Sequence, residues 1–142
     1  MLPEYIKLSH DCLPTALFFE IGGLNSACHQ IDYKQGQLKY RRAVGAFMWE
    51  PEMVLEPDSG AWVRFWKVVE DAGVWRWEKN YENPEILDGT QWFLKLKYQS
   101  RGIKSSGSNA FPGCQEPDFS EECEFGQFIK GLRELTGEAE IG

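Results

Sequence analysis

The sequence predicts an α+β fold: an antiparallel β-sheet of two or more hairpins with two helices, about 59–72 and 120–136, packed on one face. Three observations predict it. Period-two alternation of apolar and polar residues marks the segments around 29–42 and 91–106. Helix-period apolar stripes mark the other two segments. These elements follow in the order strands, helix, strands, helix, which favours segregated helices on an antiparallel sheet.

Along the chain, Tyr5-Ile6-Lys7-Leu8 is a short strand candidate, and Ala16 to Ile21 is a second, closed by Gly22-Gly23. The clearest hairpin runs from His29 to Lys34, turns at Gln35-Gly36 and returns from Gln37 to Arg42. Ile31 and Tyr33 alternate with Asp32 and Lys34, and Leu38, Tyr40 and Arg42 with Lys39 and Arg41, so one face is apolar and the other wet. Residues 43–57 read as a connection, broken by Pro51 and Pro57. Asp58 or Ser59 caps the first helix, in which Trp62, Phe65, Trp66 and Val69 form one stripe and Gly73 supplies the left-handed exit. Val74 to Trp77 is ambiguous, since Trp75 and Trp77 alternate while Trp77 and Tyr81 are helical neighbours. The turn at Asp88-Gly89 opens a strand from Gln91 to Tyr98, and a turn at Ser100-Arg101-Gly102 leads to a partner from Ile103 to Ser106. Ser120 is the candidate cap of the closing helix, whose stripe is Phe125, Phe128, Ile129, Leu132 and Leu135 and whose end is Gly137. Close packing on the sheet is the expected reason for Gly126 and Gly131 inside it.

Composition bounds what such a fold does. The 142 residues suit one domain, residues 1–142, and a chain of this length buries roughly 70% of its unfolded surface. Hydrophobic residues at 42% argue against disorder, and six tryptophans concentrate the buried area in a few large side chains. No basic-then-apolar leader opens the sequence and no apolar run is long enough for a span, so a cytoplasmic protein without membrane attachment is expected. In that setting Cys12, Cys28, Cys114 and Cys123 are most simply reduced thiols, with a Cys114–Cys123 pair across the acidic loop left open. Neither His10 with Cys12 nor Cys28 with His29 has zinc-site spacing, so no metal or other cofactor is expected. The sequence contains no phosphate-loop, dinucleotide or nucleophile-elbow motif.

The net charge of −7 is gathered in Glu50, Glu52, Glu56 and Asp58 and again in Glu116, Asp118, Glu121, Glu122 and Glu124. It disfavours nucleic acid and favours a basic protein as partner, with the second cluster as the candidate surface. Lys39, Arg41, Lys95 and Lys97 read as cations of a solvated sheet face that blunts edge-to-edge pairing, the alternative being a local basic surface that the global charge opposes. The densest constellation is Gly73-Val-Trp-Arg-Trp77, Tyr81, Asp88-Gly-Thr-Gln-Trp92 and Gly107-Ser-Asn-Ala-Phe-Pro112. Over about residues 60–137 it resembles a signature of small, uncharacterised bacterial single-domain proteins. The resemblance implies no activity, and the loop Gly113 to Cys123 stands as an insertion relative to it. Read physically, Asp88, Thr90 and Asn109 are turn residues. The functional alternative is that they rim an aromatic pocket with Trp75, Trp77, Tyr81 and Trp92. The leading expectation is a non-enzymatic protein-binding domain, of the acidic inhibitor or immunity type that masks a basic partner. The alternatives are a small-molecule-binding or weakly catalytic domain using the Trp-rich pocket, and a structural subunit of an assembly.

Overall fold

The computed structural model describes residues 12–23, 27–45, 48–85, 89–115, 119–138 and 141. The strand candidate Tyr5–Leu8, His10, Asp88, Glu116 and Asp118 lie outside the described residues.

Alternation in the first half becomes β1 (Ala16–Gly23), β2 (Cys28–Lys34) and β3 (Gln37–Ala43). The β2–β3 turn takes positive φ at both Gln35 and Gly36, the twist that matches two flanking strands. Later come β6 (Thr90–Tyr98) and β7 (Arg101–Ser108), joined at Gln99-Ser100, with Gln99 at positive φ. Pairing begins directly at Tyr98 and Arg101, so the return strand starts two residues earlier than the sequence suggests and Gly102 belongs to it. Two three-residue strands were not foreseen. They are β4 (Met53–Leu55), which pairs with β3, and β5 (Asn80–Glu82), which runs parallel to β7. The seven strands lie in the order β4-β3-β2-β1-β6-β7-β5, antiparallel except at the β5–β7 edge.

Register sorts the side chains. Leu17, Phe19 and Ile21 of β1 stand beside Tyr33, Ile31 and His29 of β2, and beside Leu96, Leu94 and Trp92 of β6. This face is the core. Helix α1 (Ser59–Asp71) presents Trp62 edge-on to Tyr33, and α2 (Glu124–Thr136) presents Phe128 edge-on to Phe19, both residues of that face. Phe125, Phe128, Ile129 and Leu132 are fully buried, each worth roughly 1.5–3 kcal/mol of transfer free energy. The opposite face carries Phe18, Glu20, Gln30, Asp32, Lys39, Arg41, Phe93, Lys95 and Lys104, and no helix residue makes a ring contact with its aromatics among the described residues.

Helix α1 begins as its sequence dictates: the Asp58 carboxylate accepts from the Ala61 amide at 2.8 Å, and Gly73 beyond its end has φ 68°. Val74–Arg76 then form a single 3-10 turn and Trp77 is extended, which settles the ambiguous segment. Helix α2 begins later than Ser120. Residues 120–123 fold back across Gly126, where a Cβ would lie 1.6 Å from the Ser120 carbonyl oxygen. Gly131 faces Val68 of α1, not the sheet: its Cβ would lie 2.8 Å from Cγ1. The two interior glycines thus serve a doubled-back segment and a helix–helix contact. Cys114 and Cys123 are joined by a disulfide, which corrects the expectation of reduced thiols for that pair, while Cys12 and Cys28 are outside any disulfide.

Candidate functional site

The tryptophan-rich region is a filled core. Trp77 and Trp92 are 7% and 3% exposed, and the Trp92 ring lies 4.9 Å from Phe125 and 5.9 Å from Trp77. Its indole donates to the Ala110 carbonyl at 3.0 Å, and Gly107 faces it so closely that any Cβ would meet the ring. Asn109 is buried with φ 58°, and its amide donates to the Thr90 carbonyl. Phe111 packs on Phe119 and Phe125, and the Pro112 carbonyl accepts from the Phe125 amide. The segment from Gly107 to Pro112 therefore caps Trp92 and seats the start of α2.

Of the expected pocket residues, Trp77, Tyr81, Thr90, Trp92 and Asn109 do gather. Trp75 does not, for it stacks on Trp66 toward the Tyr98 end of β6, under Arg101. Burial raises the Tyr81 hydroxyl above its usual pKa, the Glu78 amide that donates to it opposes this, and the charges of Glu78 and Glu124 add to the rise. Tyr81 is half-buried and packs its ring against Trp92, so its contacts and those of Trp77, Trp92 and Asn109 are contacts of the core.

The acidic clusters are also partly absorbed. Glu124 accepts from the Trp77 indole at 3.3 Å and lies against Gly113, while Glu121 pairs loosely with Arg133 at 3.8 Å. Glu122 is exposed. In the first cluster Asp58 caps α1, Glu50 pairs with Arg42 at 3.0 Å and Glu52 with Lys39 at 3.7 Å, which leaves Glu56 exposed. Cys28 and His29 point to opposite faces, and His29 is buried with Nδ1 2.7 Å from the Tyr40 hydroxyl. Among the described residues no group of His, Cys, Asp and Glu is arranged to hold a metal ion.

What stands out instead is the segment from Val44 to Leu55 at the β4 edge. Ala43 faces Trp49 and Tyr40 faces Met53, so the returning chain carries one residue more than β3 between those pairings, a bulge around Pro51. A bulge and a proline blunt open-ended strand addition at an edge. The apolar side chains are nevertheless left out: Met48 is 70% exposed, Val44 54%, Val54 52% and Met53 44%. Beside them lies an open depression of about 430 Å³, lined by Tyr40, Arg41, Arg42, Glu50, Pro51, Met53 and Glu138. Arg41 is held over Trp49 at 4.3 Å and donates to Gln30, whose amide donates to Glu20. One wall of the depression is therefore fixed by a cross-strand relay. Sequence reasoning read this stretch as a mere connection. The signal available was Met53-Val54-Leu55 between two prolines, an apolar triplet in an acidic loop.

No family model matches the chain, and no curated protein matches it.

Proposed function

We propose that the protein is a non-enzymatic protein-binding domain whose working surface is the β4 edge. One observation carries this reading: Val44, Met48, Met53 and Val54 of this edge segment are all exposed, with Met53 on the wall of a concave depression, and the other exposed large apolar residues among those described are Val63 and Phe93 alone. Such a patch loses water-exposed apolar area when a partner covers it, and the depression suits a single anchoring side chain. Glu50 and Glu138 line the depression, and the net charge of −7 adds a long-range attraction for basic surfaces. The partner is then a basic protein, in the manner of an acidic inhibitor or immunity protein.

The test is recovery of a bound protein from native lysate by the wild type, by Met48→Gln/Val54→Gln, and by Glu121→Gln/Glu122→Gln/Glu124→Gln. The edge variant should lose the partner that the wild type and the triple variant both retain. Loss by the triple variant with retention by the edge variant would move the interface to the start of α2. Equal recovery by all three would discard both surfaces.

A further inference from the structure

A second surface lies on the face of the sheet opposite the two helices, across β1, β6 and β7. Phe18 and Phe93 meet there diagonally, with ring centroids 6.0 Å apart, and Phe93 is 39% exposed. Lys95 stands beside Phe18 in the β1–β6 register and directly opposite Lys104 in the β6–β7 register. Lys97 follows on the same face of β6, opposite Gly102. Like charges directly opposed across strands destabilise a sheet. No carboxylate of the described residues comes within ion-pair distance of Lys95, Lys97 or Lys104. On the other half of the same face Lys39 pairs with Glu52, and Arg41 reaches Glu20 through Gln30, while Lys34 at the hairpin end lies on the side of Asp32. An acidic protein thus keeps an uncompensated lysine cluster around an exposed phenylalanine.

We propose that this patch docks an acidic polypeptide segment that carries an apolar side chain, the carboxylates meeting Lys95, Lys97 and Lys104 and the apolar group covering Phe18 and Phe93. Charge complementarity selects an anion, and three features select a polypeptide over a nucleic acid. The patch contains no arginine, the side chain best suited to bidentate phosphate recognition. Glu20 of β1 lies opposite Phe93, with Asp32 of β2 beyond Phe18, so a continuous polyphosphate would meet carboxylates that a peptide can face with an uncharged residue. A long polyanion crossing the sheet also meets the repulsion of a chain with net charge −7. The surface is independent of the β4 edge, since β3 and β2 stand between them.

The experiment is fluorescence anisotropy at low salt with a short labelled peptide of glutamates around a central pair of leucines. Its lysine counterpart and an oligouridylate serve as competitors in separate titrations. The glutamate peptide should bind in a salt-sensitive manner, and Lys95→Gln/Lys104→Gln and Phe93→Gln should each weaken it by roughly tenfold. Both variants should stay folded, and the double lysine variant should melt no lower than the wild type because the opposed charges are gone. Met48→Gln/Val54→Gln should bind the peptide normally, which separates this proposal from the edge interface. Absent binding, or binding unchanged in both patch variants, overturns it. Tighter binding of the oligouridylate through the same lysines assigns the face to nucleic acid and overturns it too. So does self-association abolished by the lysine variant, which makes the occupant a second copy.

Discussion

Phe128 and Leu132 illustrate what a single buried side chain does here. Both are fully buried on the inner side of α2, and Phe128 touches Phe19, Phe65 and Trp77 at ring-centroid distances of 5.4–6.0 Å. Leaving a cavity in that cluster should cost roughly 3–5 kcal/mol for Phe128→Ala and 2–5 for Leu132→Ala, read by chemical denaturation. A loss below about 0.5 kcal/mol for both would mean that α2 is not part of the core. The interior glycines give a sharper comparison. Adding a methyl at Gly131 gains about 1 kcal/mol of helix propensity but presses on the Val68 side chain, which has some freedom to shift. At Gly126 the same methyl meets a backbone carbonyl, which cannot move without displacing residues 120–123. Gly126→Ala should therefore destabilise the protein more than Gly131→Ala, and equal denaturation midpoints would contradict the fold-back.

Among the elements, those long enough to show a period were legible in the sequence. Strands β1, β2, β3 and β6 repeat every two residues over seven or more positions, and α1 and α2 carry stripes of four or five apolar residues. Strands β4 and β5 have three residues each, too few for alternation to register, and they exist because β3 and β7 offer them an edge. The start of α2 was misplaced because Ser120 has a capping side chain but is held in a fold-back by tertiary contacts. For the tryptophan region, alternation showed which side of β6 Trp92 faces, yet not that Phe125 and Gly107 would close over it. Covering is a tertiary property, and so is the exposure of Met48 and Val54. The disulfide acts at this element scale, tying the loop after Pro112 to the residue before α2. Closing so short a loop in the unfolded chain is worth roughly 2–3 kcal/mol. Reductant, or Cys114→Ser/Cys123→Ser, should lower the melting temperature by several degrees and leave the fold intact, since Phe111, Phe119 and Phe125 still pack. An unchanged melting temperature would show that the fold-back holds without the bond, whereas unfolding would show that α2 depends on it.

For the whole molecule, charge and apolar contact act on different steps of association. The net charge of −7 reaches beyond the surface by about a Debye length, ~8–10 Å in ordinary buffers, and would steer the basic partner proposed above before any contact forms. In the proposed interface the apolar side chains of the β4 edge would act only once water is excluded, so they would govern how long the complex lasts. Glu56→Gln with Glu121→Gln and Glu122→Gln removes three exposed carboxylates that lie on separate parts of the chain. It should slow association and flatten its salt dependence, with dissociation nearly unchanged. Met48→Gln/Val54→Gln should do the reverse, speeding dissociation while the association rate at low salt stays within a few-fold of wild type. Surface plasmon resonance against the captured partner at two ionic strengths separates the four rates. If the edge variant changed only the association rate, the exposed methionine and valine would be bystanders of an electrostatic interface. The depression beside β4 would then have no part in holding the partner.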